Sequence, residues 1–464
     1  MPITRQSASD VSFSLKIRRD GQYLQNSDGA NSLEDFVMAC NIVEGIDSAG
    51  ISAEIVLQDS AGLINTFTGS EEWIIRIDTS TGTKAWSLVT YSIDSRARSG
   101  NAEAYMVKAV SYEFLLNECT NIFGASEVIF KDSASNTAKD LVTYLLGKGG
   151  MQGQPDGGSA KLTKKKVYVE DSNNDHKFIA CNWRAFDTIY WIGQRSVRGD
   201  NQNGYLFWEN TFGFHFKSID KIIEDVNNQD YDTETDTTQG IARLYRYSYE
   251  PKQSDDIGND HLRIKTIVFP EETNYLRGMR NGAWAVNVVA LDPISIPNSE
   301  VSPEHNTAGP TYVTTISDEW SKMSHIRGGS NPVESYGSAT KGMVLHPRRI
   351  KYVLKPNRIF DQMGKREDTK VYNNTAPMTA YQHLRVQSLK NLQLLVTVPG
   401  NIDLYAGYGV DINIPATKLK GDKMVRDKKY SGRYVIAAVR HKYDGKSMDT
   451  EMLVYRDSIP QNPT

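Results

Sequence analysis

A chain of 464 residues exceeds what one ordinary core organises and is expected to divide into about two to four domains. Hydrophobic residues at 39% and charged residues at 23% are a globular composition, which excludes a disordered chain. With 53 Lys and Arg against 56 Asp and Glu, the formal charge of −3 lacks the basic excess that neutralising a phosphate backbone demands, which argues against dedicated nucleic-acid binding.

From Val11 to about Glu118 the pattern is period two, in VSFSLKI, SAEIVLQD, EWIIRID, KAWSLVTYSID and EAYMVKAVSYEF, separated by Gly, Asp, Ser and Asn clusters. These strands predict a small β-barrel or sandwich, with turns at VEGIDSAG and TSTGT. Near Ser133 the character changes. SASNTAKDLVTYLLGKGG carries a polar cap region, then Ala138, Leu141, Val142, Leu145 and Leu146 at helical spacing, then a Gly stop. A second helix is predicted over NWRAFDTIYWIGQRSV, and a hairpin over GYLFWENTFGFHF. Strands return at GIARLYRYSYE and HLRIKTIVF. From about Pro293 to Pro347 the sequence is rich in Pro, Gly, Ser and Asn without a clear period, and is read as an extended arm. A helix starting near Pro377 then leads into LQLLVTVPG, LYAGYGVDINIP, SGRYVIAAVRHKY, a turn at Asp444 and Gly445, and SMDTEMLVYRD. The fold class is α+β and β-rich.

Cys40, Cys119 and Cys181 stand singly, without the short spacings of metal sites or redox dithiols, and are read as reduced, buried thiols. Asp230, Asp232, Glu234 and Asp236 alternate as calcium ligands do, but Gly is missing where an EF-hand loop turns and Glu where it closes, so a solvated loop is expected. Lys164, Lys165 and Lys166 precede the strand VYVE and read as a charged edge. The histidines, among them His176, His215, His383 and His441, lie apart from one another and from Cys. No GxSxG, HExxH, Walker or Rossmann pattern occurs, so no catalytic, metal or cofactor residue is assigned. Trp183, Phe186, Tyr190 and Trp191, at helical spacing, are read as core rather than a sugar platform. Gly400, Gly407, Gly409, Gly432 and Gly445 are assigned to turns or bulges that bend strands round a barrel. The N-terminal MPITRQSASD has no signal-peptide core, and no run approaches the roughly 18 apolar residues that span a bilayer, so folding in a cytoplasm without membrane insertion is expected.

The C-terminal order carries a resemblance. A Leu- and Gln-rich helix, a strand ending in PGNIDLYAG, the strand VDINIP, a charged loop, YSGRYVIAAVRHKYDG and a final alternating strand together resemble the baseplate hub protein of contractile-tailed bacteriophages. That family is related to late-control protein D and to the N-terminal part of type VI secretion spike proteins. FIACNWRAFDTIYWIGQRSV, GYLFWENTFGFHF and GIARLYRYSY extend the likeness; the ordered series carries it, since each motif alone is short.

The resemblance implies two tube-like β-barrels in one chain. The expected division is a first barrel over residues 1–120, an α+β insert over 121–239, a second, discontinuous barrel over 240–292 and 377–464, and an arm over 293–376. It implies a homotrimer in which six barrels match a hexameric tail tube above and a trimeric spike below. A channel would let the genome pass without specific binding, and the tape-measure protein and baseplate wedge components would be further neighbours. The protein would be a structural, non-enzymatic part of the virion tail, assembled in the host cytoplasm. Alternatives are the hub of a non-phage contractile particle or of a non-contractile tail, and a tail-associated cell-wall hydrolase or glycan-binding module.

Overall fold

The computed structural model describes residues 9–24, 32–125, 129, 136–151, 161–199, 201–250, 260–270, 274–291, 311–354, 370–420 and 423–460. In chain order, the first sheet is built from β1 (Ser12–Arg19), β2 (Gln22–Tyr23), β3 (Val37–Gly45), β4 (Ser52–Asp59), β5 (Glu72–Thr79), β6 (Gly82–Ser99) and β7 (Ala102–Ser111). The insert follows with α1 (Tyr112–Asn117), β8 (Ile122–Ala125), α2 (Ala138–Leu146), β9 (Lys166–Val169), β10 (Ile179–Trp183), α3 (Ala185–Gly193), β11 (Tyr205–Asn210), β12 (Gly213–Ser218) and α4 (Ile219–Asn228). Next come β13 (Tyr245–Ser248), β14 (Thr266–Val268), α5 (Tyr275–Asn281), β15 (Ala285–Leu291), β16 (Thr311–Thr315), α6 (Ile316–Glu319), β17 (Gly329–Ser330), α7 (Ser338–Val344) and β18 (Arg349–Leu354). The chain closes with α8 (Lys370–Leu389), β19 (Leu392–Pro399), β20 (Gly409–Asn413), β21 (Pro415–Lys420), β22 (Lys423–Arg426), β23 (Gly432–Tyr443), β24 (Met448–Arg456) and β25 (Ile459–Pro460).

Alternation buries one face of each strand of the first sheet. Leu15 and Ile17, Ile55 and Leu57, Trp73 and Ile75, Trp86 and Leu88, and Tyr105 and Val107 all enter one core. The sheet order β1-β5-β6-β7-β4-β3 rolls round that core, and Leu33 N–H donates to the Leu15 carbonyl where the roll turns back on itself. The second roll runs β13-β20-β23-β24-β19-β14 and closes where Ile264 N–H donates to Ser248 O. Its interior is Tyr247, Leu394, Val396, Val410, Ile412, Tyr434, Ile436 and Val454.

Each predicted helix and hairpin of the insert has its counterpart, and the five apolar positions of α2 are all buried. Trp183 differs: it ends β10, and α3 begins after Arg184, so it belongs to no helical stripe. The cysteines also differ, because only Cys40 is buried; Cys119 lies in the turn after α1, and Cys181 is on β10 paired with Phe123, itself 75% exposed.

Residues 311–354, expected to be irregular, hold helices and strands. β16 and β18 flank β15 in a three-stranded sheet, and α8 packs on it through Ala380, Tyr381 and Leu384 against Val286, Val288 and Ala290. Elements of two to seven residues between Gly- and Ser-rich turns are too short to show a period, which is why this layer escaped notice. Of the rest of the expected arm, 293–376, residues 293–310 and 355–369 lie outside the described residues, and residues 370–376 belong to the first turns of α8. Helix α8 starts before Pro377 rather than at it; the proline removes one backbone N–H and crowds the preceding turn, and the Thr379 hydroxyl donates to the Thr375 carbonyl there. Among the described residues no helix is long and apolar enough to cross a membrane.

Candidate functional site

The two rolled sheets are one continuous sheet, and the strand that joins them is β23. Its first half, Gly432 to Val435, pairs with β20 of the second roll; its second half, Ala438 to Tyr443, pairs along the same edge with β3 of the first. Its other edge is covered by β24 from Val435 to Tyr443. The register against β24 shifts between Ile436 and Ala438, so a bulge at Ala437 marks the switch of partner, and Ala437 O accepts from Ile46 N–H.

Against this switch sits the connection between β19 and β20, the PGNIDLYAG segment. Glu44, on β3 in the inward parity of Cys40 and Ile42, accepts from Ala406 N–H at 2.8 Å and from the Thr211 N–H and hydroxyl at 3.1 and 3.2 Å. Lys84, on β6 in the inward parity of Trp86 and Leu88, donates to the Ile402 carbonyl and lies 3.5 Å from the Tyr405 ring centre. Asp403 accepts from the hydroxyls of Tyr405, Tyr245 and Thr235 at 2.9, 2.8 and 2.7 Å. Trp208 and Asn210 of the insert both donate to Ala406 O. First roll, second roll and insert therefore meet on one loop. Burial pushes the Glu44 carboxyl up and the Lys84 ammonium down, and on Lys84 the charges of Asp403 and Glu44 act against that. Every charged group here is spent on a fixed partner, so what the arrangement can do is hold position.

A second knot lies at the far end of the second roll. Arg385 of α8, wholly buried, places Nε 3.0 Å from Asp220 of α4, as an ion pair rather than an aligned hydrogen bond, and Nη1 3.2 Å from Asp457 just after β24. Its Nη2 donates to Ser324 O, the Tyr381 hydroxyl donates to Asp220 at 2.9 Å, and His325 Nδ1 sits 2.9 Å from Asp457.

The residues singled out in the sequence scatter over these parts. His176 faces the hydroxyl of Ser196, His215 is stacked between Tyr168 and Trp208, His441 faces Thr450, and His383 bridges Asn281 O and Lys351. Burial drives His176 and His441 down to about 3 and His215 well below its ordinary value. Asp230, Asp232 and Glu234 are exposed, Asp236 caps Thr238, and among the described residues no three His, Cys, Asp or Glu side chains gather as metal ligands. Of the lysine run, Lys165 departs from a charged edge: it reaches between the buried carboxylates of Glu113 and Glu209. Phe186 is core, Trp183 and Trp191 cluster on Phe178, and Tyr190 stays 38% exposed.

Gly407 turns the joint loop with φ +86°, and a Cβ there would lie 2.5 Å from the Trp208 ring; Gly445 follows Asp444 with φ +89°. Gly400 abuts Met448, Gly409 opens β20 against Gln229, and Gly432 opens β23 against Arg456. Glu44, Lys84, Asp403 and Arg385 were missed in the sequence. The available signal was a charge in the inward parity of an otherwise apolar strand, at Glu44 and Lys84; nothing local marked Arg385.

Two rolled sheets fused through a shared strand, with an α+β insert wedged on the joint, define a β-rich scaffold fold. No family model and no curated protein sequence matches this chain. Among solved structures, the 43 kDa tail protein of prophage MuSo2 from Shewanella oneidensis aligns with a TM-score of 0.53 at 9% identity, over 96% of this chain and 99% of that one. The tail protein of Neisseria meningitidis MC58 aligns at 0.49 and 12% identity, over 96% and 97%. A type VI secretion component of E. coli aligns at 0.38 and 8% identity, over 92% and 74%. The fold is that of the prophage tail protein along nearly its whole length.

Proposed function

We propose that this chain is a structural hub of a phage-like tail baseplate. Three copies form a ring that matches the hexameric tail tube on one face and the trimeric central spike on the other, round a channel for the genome. The observation that carries this reading is the split edge of β23, which fuses two six-stranded rolls into one rigid unit. Three such units present six similar rolls, the number that a sixfold ring needs in order to close on a threefold partner. The likeness to a prophage tail protein supports the location in a virion tail. In this reading the first roll, the insert and the discontinuous second roll are separate domains, and the glycines of the β19–β20 and β23–β24 connections shape the second. The protein does no chemistry on its partners; it holds positions. The tape-measure protein and wedge components are its further neighbours.

Light scattering on the purified chain, followed by negative-stain averages viewed down the ring axis, tests this. The expected mass is three times the 52.0 kDa of one chain, with six lobes round a hole. A monomer at every concentration and salt, with no ring, would overturn it.

A further inference from the structure

The edge strand β18 carries a group of bases that the hub reading leaves unused. Arg349 and Lys351, two residues apart, share one face of the strand. It is the face toward α8, since their partners on β15 are Val286 and Val288, which α8 covers. His383 of α8 meets them there. Its Nε2 lies 2.8 Å from Asn281 O at the end of α5; a carbonyl only accepts, so Nε2 carries the proton and Nδ1 turns its lone pair to the Lys351 ammonium, 3.3 Å away. Gly282 follows in the left-handed region at φ +71°, and a Cβ on it would lie 2.7 Å from the Arg349 Cβ, so the end of α5 abuts the base of that side chain.

These bases have no acid among them. Among the described residues no carboxylate pairs with Arg349, Lys351 or His383. What acts on them is burial and one another: burial lowers the Lys351 ammonium and the charge of Arg349 lowers it further, while burial and then the Lys351 charge lower the His383 ring against its bond to Asn281 O. Elsewhere the molecule answers part-buried cations with carboxylates, Lys165 with Glu113 and Glu209, and Arg198 with Glu170 and Glu224. Lys351 uses one N–H on His383 and keeps two, with the guanidinium fork of Arg349 beside them on the strand. Two cations so placed suit a tetrahedral oxyanion of about two charges better than a carboxylate of one. We propose that the groove between β18, α8 and the end of α5 binds a phosphate group, as the free ion or as a monoester. This stands apart from the hub reading, since it needs no ring and no partner chain.

The test is titration calorimetry on the full chain with inorganic phosphate, glycerol 3-phosphate and acetate, at a constant ionic strength of about 0.1 M. The expected result is saturable binding of phosphate with a Kd of about 1 mM or below, at least about tenfold tighter than acetate. Arg349→Met and Lys351→Met each weaken it about tenfold, and Arg349→Met, at an exposed position, leaves the unfolding midpoint in phosphate-free buffer where it was. Arg98→Gln, which removes an exposed cation of β6, leaves phosphate binding unchanged. Tighter binding of glycerol 3-phosphate than of phosphate identifies the ligand as a monoester, and equal or weaker binding identifies it as the free ion. Three results would sink the proposal: no saturable binding of phosphate or of the ester up to about 20 mM, acetate bound as tightly as phosphate, or parental affinity in both methionine variants.

Discussion

The two rolled sheets hold similar cores by different means. The first is contiguous, with β1 to β7 drawn from residues 12–111, and within the roll its strands pair with one another, the one distant partner being β23 on the outer edge of β3. The second takes β13 and β14 from one stretch and β19 to β24 from another more than a hundred residues on, with the β15 layer inserted between. Its loops are long to close, and closure entropy rises with their length. The second roll compensates with a buried polar anchor, Arg385 with Asp220 and Asp457, and with the grip that Glu44 and Lys84 of the first roll take on its β19–β20 loop, whereas the interior of the first roll away from that joint relies chiefly on apolar alternation. Contiguity makes a fold cheap to assemble; interruption makes it depend on a few specific bonds.

The largest effect that sharpens the comparison is acid. Residues 12–111 contain no histidine, while His176, His215 and His441, all buried and held neutral, lie in the insert and on β23. Their folded pKa values lie below the unfolded value of about 6.5, so the unfolded chain binds more protons below that pH and stability falls as pH drops. Each contributes roughly 1 kcal/mol per pH unit below about 6.5. Hydrogen exchange at pH 7 and pH 5, with intrinsic rates corrected, should show the insert and the β23–β3 joint beside His441 losing protection while β1 and β5, away from any buried histidine, keep theirs. Equal loss in both would end the distinction.

Next comes Arg385→Leu. It leaves Asp220 and Asp457 buried without their common cation, and removing one partner of a buried pair costs about 3 to 5 kcal/mol. Protease should then cut α8 and the β15 layer before it cuts β1 to β7. Gly407→Ala follows at about 2 kcal/mol or more, from the left-handed backbone and the clash with Trp208 together. Gly445→Ala, strained but unobstructed within 3.3 Å, should cost only about 1 kcal/mol. Urea midpoints of the two variants give that ranking directly, and a reversed order would remove Gly407 from the joint.

What could be read in advance follows the same division. The contiguous strands and helix α2 were visible because local alternation and local caps decide them. The strand missed in the first roll was β3, VMACNIVEG, whose alternation is shifted by a bulge between Val37 and Ala39 and whose inward series Cys40, Ile42 then ends on the charged Glu44 at the joint. Its partner β23 lies about four hundred residues away, and no local pattern states which distant strand an edge will take. The β15 layer was hidden for the same reason: residues 285–291 fell inside the 240–292 segment that the resemblance implied for the second barrel, and no local pattern says that β15 instead pairs with β16 and β18. The PGNIDLYAG loop was legible as a motif, but its role as the meeting point of three parts needed the fold.

The smallest effect concerns the first roll at its exposed end. β5 covers β6 only as far as Val89, with Thr90 N–H still donating to Glu71 O, so among the described residues β6 beyond that point pairs with β7 alone and has a bare edge. Arg96 and Arg98, both on β6, pair across the hairpin with Glu103, and Lys108 with Asp94. Exposed pairs of this kind contribute about 0.5 kcal/mol or less, so their service is to keep an open edge from pairing with a stray strand. Replacing Arg96 and Arg98 together with Val should leave the thermal midpoint within about 2 °C of the parent, since about 0.5 kcal/mol shifts a domain of this size little. It should also raise disordered association of the chain, read as a rising scattered mass with no defined stoichiometry. A midpoint lowered by much more would show the pairs holding the roll itself, and the contrast between an apolar first roll and a charge-anchored second would have to be abandoned.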